Sequence, residues 1–156
     1  MDYLKGLGIE VGRGNYYEEA IYGTILLYNR INSEIGIYLD QFDLSPAKFN
    51  VLMVIKHRGS EEGISQVEIS KRLLVTASNM TRLIDKLEDE KLIERFAQEG
   101  DRRVNLIRVT QRAAKLLDDI WPGYIEKLKD LMKDMSKEDQ IALSGLSLKW
   151  LNTLVE

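Results

Sequence analysis

Two short helices with almost nothing between them constrain this chain more than any other feature. Ser65-Gln66-Val67-Glu68 has the form of a capping box, with serine placed to accept from the backbone N–H three residues on. Ile64 and Ile69 stand where a hydrophobic staple would hold the entering chain. The spacing predicts a helix whose apolar contacts are Val67, Ile69, Leu73 and Leu74. After a break at Leu74-Val75, Thr76 is placed to cap a second helix. Met80, Leu83, Ile84 and Leu87 then recur at i, i+3, i+4 and i+7 as one apolar stripe. The opposite side carries Ser78, Arg82 and Asp85, flanked by Asn79 and Lys86. Two such helices joined by a three- or four-residue turn make a helix-turn-helix.

The flanks extend this unit. Two β-like runs, Leu92 to Ala97 and Val104 to Val109, are separated by Gln98-Glu99-Gly100-Asp101-Arg102-Arg103, a polar connector suited to a hairpin. Upstream, Ile21, Ile25, Tyr28 and Ile35 follow helical spacing from Tyr16 to about Asp40. At 1.5 Å per residue this helix is longer than a small domain needs, so part of it is expected to pack on another chain. Ser45-Pro46 opens the next helix, serine as cap and proline in the first turn. Phe49, Val51, Leu52, Met53, Val54 and Ile55 make that helix apolar on nearly all sides and central. Gly59 is expected to end it as a left-handed cap. Thr110 caps a fifth helix reaching about Asp134, with a kink expected at Pro122. Ser136 caps a sixth, whose stripe is Leu143, Leu146, Trp150 and Leu154. Gly6, Gly8, Gly12 and Gly14 make residues 1–14 a leader resistant to regular structure.

Composition removes several function classes. With no cysteine, disulfides, thiolate metal sites and thiol redox chemistry are excluded, and one histidine, His57, leaves little material for an imidazole site. No cofactor and no metal are expected. G-x-S-x-G, H-E-x-x-H and a phosphate-cradling glycine loop are missing, so the chain does not read as an enzyme. No segment approaches the ~20 apolar residues that span a bilayer, and no signal peptide is read at the start, so the expected location is the cytoplasm. The net charge is −3, yet from Ser65 to Arg112 ten Lys/Arg stand against eight Asp/Glu, which makes the middle third the basic one.

The order helix, helix, helix-turn-helix, wing, long helix, C-terminal helix, from about Tyr16 to Val155, resembles the MarR family of winged helix-turn-helix transcription regulators. Ser65 to Leu73 (SQVEISKRL) is similar to the family's third helix and Thr76 to Leu87 (TASNMTRLIDKL) to its recognition helix. Leu92-Ile93-Glu94-Arg95 opens a wing as the family does, Asp101-Arg102-Arg103 resembles its D-x-R wing tip, and Val109-Thr110 leads into the fifth helix. Lys91 and Ala113 stand where the family often has glycine. A left-handed cap at Lys91 would cost about 1 kcal/mol.

The resemblance implies a mainly α fold: a winged helix-turn-helix lobe at 43–112 with a small β-hairpin wing, between long dimerisation helices at 15–42 and 113–156. It implies a homodimer on a pseudo-palindromic duplex, its recognition helices about 34 Å apart. The helix at 76–90 would enter the major groove and the wing at 92–109 the minor groove. Ser78, Asn79 and Arg82 are polar and outward, which suits base edges. Ser65, Gln66, Thr76, Lys86 and Arg102 suit phosphates. At the wing tip the resemblance assigns Arg103 to the minor groove and Asp101 to holding it. Leu143, Leu146, Trp150, Leu151 and Leu154 are the candidate dimer surface. The resemblance also implies repression released by a small anionic aromatic effector, with Tyr17, Phe49, Met53 and His57 as candidate pocket residues; the variant that senses peroxide through cysteine is excluded. The alternative is a winged helix used for protein contact without DNA.

Overall fold

In a computed structural model, residues 3–12, 14–59, 62–98 and 101–155 are described, without the side chains of 98 and 101–104. The chain divides into two compact units, Met1–Trp121 and Pro122–Glu156. A three-residue 3-10 helix at Lys5–Leu7 interrupts the glycine-rich leader expected to resist regular structure, and the elements after it are α1 (Tyr16–Asp40), α2 (Pro46–Gly59), β1 (Ile64–Ser65), α3 (Gln66–Leu73), α4 (Ala77–Asp89), β2 (Ile93–Gln98), β3 (Asp101–Val109), α5 (Gln111–Leu131) and α6 (Lys137–Val155). The fold is mainly helical with a small antiparallel sheet, a winged helix-turn-helix.

Helix starts follow the caps. The Ser45 hydroxyl accepts from Lys48 N–H at 3.3 Å, Ser65 from Glu68 at 3.2 Å, Thr110 from Ala113 at 3.2 Å and Ser136 from Asp139 at 3.1 Å. Each satisfies one N–H that the helix cannot pair internally. Thr76 departs from this pattern: it occupies the N-cap of α4 without a side-chain cap bond, its hydroxyl lying 3.4 Å from Ser78 Oγ.

Three helices in the first unit end alike. After α1, α3 and α4 the chain turns through left-handed Asp43, Leu74 and Lys91, with φ of 56°, 53° and 57°. At Lys91, its N–H reaches Glu88 O at 2.8 Å and the Leu92 N–H reaches Leu87 O at 2.9 Å. That is a Schellman motif, which normally takes glycine at the left-handed position. Gly59 does not act as the expected left-handed cap. It is the buried last residue of α2, and the left-handed glycine is Gly63, φ 77°. A Cβ on Gly63 would lie 2.7 Å from Phe96 Cζ, so the turn into β1 needs glycine for space as well as for φ.

The core of the first unit joins Phe49, Val51, Leu52 and Ile55 of α2 with Ile69, Met80, Ile84, Leu87, Ile107, Leu117 and Ile120, all at most 2% exposed. Two expected α3 contacts are not there. Val67 is 64% exposed because it faces away from Ile69, and Leu74 is 60% exposed because the left-handed turn throws it outward. The sheet order is β1-β3-β2, antiparallel throughout. β3 begins at Asp101, opposite Gln98, so residues expected in the connector belong to the strand ladder. Tyr38 donates its hydroxyl to Ile120 O at 2.7 Å, and Lys56 pairs with Asp118 at 2.5 Å, tying the end of α1 and α2 to the first half of α5. Pro122 lies inside α5.

Candidate nucleic-acid interface

α4 presents two different sides. Met80, Ile84 and Leu87 are fully buried, while Ser78, Asn79, Arg82, Asp85 and Lys86 are exposed. This follows from 3.6 residues per turn with the stripe turned inward. Asn79, Arg82 and Lys86 rim a recess of about 330 Å³ floored by Ala47, Val75 and Leu83. One amide, one guanidinium and one ammonium thus share one outward surface: a group that both donates and accepts, a forked cation and a point charge.

The residues assigned to phosphate divide. Thr76 and Lys86 are exposed. Ser65 Oγ accepts the Glu68 N–H in its capping bond, which leaves its O–H to donate, and Gln66 donates its amide to Thr81 Oγ1 at 2.7 Å, bracing α3 against α4. The Gln66 amide nitrogen has a second N–H beyond the one given to Thr81. The side chains of Asp101, Arg102 and Arg103 lie outside the described residues.

One participant was missed from the sequence. Arg95 of β2 donates Nη1 to Glu88 Oε2 and Nη2 to Asp85 Oδ1, both at 2.5 Å, joining the wing to α4. The available signal was strand alternation: Ile93 points inward and Arg95 shares its side, opposite a helix carrying acids at i and i+3. On the other face of the wing, Arg108 pairs with Glu94 at 2.6 Å and lies 4.9 Å from the Phe96 ring centre.

The family model described as MarR family matches residues 42–104, which span α2 through the start of β3. The match is to the helix-turn-helix lobe, and over that stretch the chain is similar to the MarR family. Among curated relatives, the HTH-type transcriptional regulator MhqR of Bacillus subtilis is 29% identical over 112 residues, covering 72% of this chain and 75% of that protein. The fold matches the S. aureus MepR–DNA complex with a TM-score of 0.77 at 23% identity, covering 85% of this chain and 96% of the other. It matches a mutant E. coli MarR complexed with operator DNA with a TM-score of 0.76 at 24% identity, covering 88% and 99%. The left-handed position that the family often gives to glycine is filled here by Lys91 without loss of the turn.

The remaining candidates are dispersed. Met53 and His57 line an opening of about 460 Å³ with Val54, Arg58 and Arg72. Phe49 does not line it: at 2% exposure it is core, held there because α2 turns that side onto the lobe. Tyr17, on the first turn of α1, is 64% exposed and also does not line it. A second cavity of about 450 Å³ lies where Phe42 and Leu44 meet Leu92, Arg112 and Lys115. On α6, Leu146 is 67%, Trp150 38%, Leu151 44% and Leu154 70% exposed, with Leu143 half-buried. Among the described residues no group of His, Cys, Asp and Glu is arranged for a metal, and no helix is long and apolar enough to cross a membrane.

Proposed function

We propose that this protein is a sequence-specific duplex-DNA-binding transcriptional regulator acting as a homodimer. The observation that carries the reading is the two-sided α4: Met80, Ile84 and Leu87 sealed in the core, with Ser78, Asn79 and Arg82 free to meet a groove. A helix fits the major groove, where Asn79 suits adenine and Arg82 suits guanine. Lys86 and Thr76 take phosphates, Arg103 reaches the adjacent minor groove with Asp101 holding it, and Arg102 meets phosphate. That MepR and MarR were solved with DNA, and that MhqR is named a regulator, supports the same reading.

Dimerisation follows from the apolar sides of α1 and α6, and two-fold symmetry then matches a pseudo-palindrome. Such a dimer covers its operator and so represses. A small aromatic anion releases it by favouring a subunit angle that breaks half-site spacing. The opening beside Met53 and His57, with Arg58 and Arg72 at its edge, suits that ligand.

The test is a gel-shift with the DNA flanking the protein's own gene, across a salt series and with a panel of aromatic acids. Binding should weaken steeply as salt rises, because phosphate contacts release counterions. Arg103→Ala should weaken binding and leave fold and dimer unaltered. Absence of any duplex binding at low salt would replace this reading with that of a protein-contact module.

A further inference from the structure

We infer that Arg95 is a positioning residue that fixes the wing on the recognition helix and masks the carboxylate of Asp85 on the reading stripe. The inference rests on the DNA-binding reading for its purpose, but its geometry stands by itself.

Ser78, Arg82 and Asp85 fall at i, i+4 and i+7, one stripe of α4. A bare carboxylate on that stripe would repel the phosphate backbone that Arg82 and Lys86 attract. Arg95 meets it with one arm of its fork and takes Glu88 with the other. Its side chain is 28% exposed, against 52% for Asp85 and 38% for Glu88, so the guanidinium is the most covered member of the cluster. With both arms engaged, this wing arginine braces the protein instead of reaching for DNA.

Its backbone is equally constrained. Arg95 pairs with Ile107, and Ile107 pairs with Ile64, so Arg95 stands on a row that crosses all three strands. Ile107 is 1% and Ile64 6% exposed. A second link between α4 and β2 is the short turn through left-handed Lys91. Turn and guanidinium hold the helix-to-strand angle from two points, and that angle determines whether helix and wing engage adjacent grooves together.

The experiment uses the full-length protein and a duplex enriched from a random pool by the wild type. Arg95→Ala should bind that duplex roughly tenfold more weakly, the loss given by about 1.4 kcal/mol, while keeping its thermal transition. Because Arg95 acts through the wing, Arg103→Ala should cost less affinity in the Arg95→Ala background than in the wild type. A purely structural role would leave the two losses additive, and additive losses or unchanged affinity overturn the inference. Amide hydrogen exchange gives a readout free of DNA: Arg95→Ala should speed exchange at residues 93–97 and 105–109 and leave α2 unaltered. Unchanged exchange there overturns the clasp. If the wild type enriches no duplex, the DNA-binding reading falls and exchange alone decides the clasp. If Arg95→Ala fails to fold, Asp85→Asn with Glu88→Gln breaks the same two ion pairs, and the same acceleration is expected.

Discussion

α2 and α6 are both rich in apolar residues, yet they meet opposite fates. α2, with 14 residues, buries Phe49, Val51, Leu52, Ile55 and Gly59. α6, with 19, buries none, although Ile141, Leu146, Leu148 and Leu154 are each more than half exposed. α1 divides along its length: Leu39, at the end beside the lobe, is fully buried, whereas Ile21, Tyr22, Ile25 and Tyr28 are not. Apolar surface on this scale is a signature of association, because leaving it in water forfeits roughly 25 cal/mol for each Å² that could be covered. Hydrophobicity therefore says that a helix needs a partner, and only the packing says whether that partner is in the same chain.

The contrast can be broken at either end. Leu146→Asp should have the largest effect: a charge placed in an apolar contact raises the dimer dissociation constant by about a hundredfold or more. Light scattering across a dilution series reads this, and an unaltered dimer would put Leu146 outside the interface. Ile84→Ala strikes the self-sufficient core and should cost about 2–5 kcal/mol in denaturant unfolding, with the folded fraction still dimeric. Arg82→Ala touches neither packing surface. It should cost about 1–3 kcal/mol in specific binding, less on unrelated duplex, and nothing in stability; equal losses on both duplexes would make Arg82 a phosphate contact. The smallest effect is expected for Lys91→Gly, which relieves a left-handed side chain but loosens the unfolded chain. A net gain of about 0.5–1 kcal/mol should appear in the unfolding midpoint.

Features encoded within a turn or two of helix were legible in the sequence. Ser45, Ser65, Thr110 and Ser136 cap as their positions predict, and of the Met80–Leu83–Ile84–Leu87 stripe all but the half-buried Leu83 are sealed in the core. Features that depend on distant strands were not. β1 is two residues long and exists because Ile64 and Ser65 lie against Ile107 and Leu106. Gly63, not Gly59, takes the left-handed turn because Phe96 arrives from the wing to fill the space beside it. Arg95 reads locally as one more exposed wing charge; its partners are seven and ten residues back, across a turn. Residue type groups Tyr17 and Phe49 with Met53 and His57, but within one chain Phe49 is buried in the core and Tyr17 lies on the exposed first turn of α1.

The strand order has one more consequence. β3 is flanked on both sides, so among the described residues β2 carries an outer row of backbone N–H and C=O groups with no strand beside it. Such a border invites another chain to add itself and begin an aggregate. Here it is interrupted by the charged pair Glu94-Arg95 and by the irregular register between Ala97 and Gln98. The wing can stay slender and open on one side because these features make its edge a poor template for further strands.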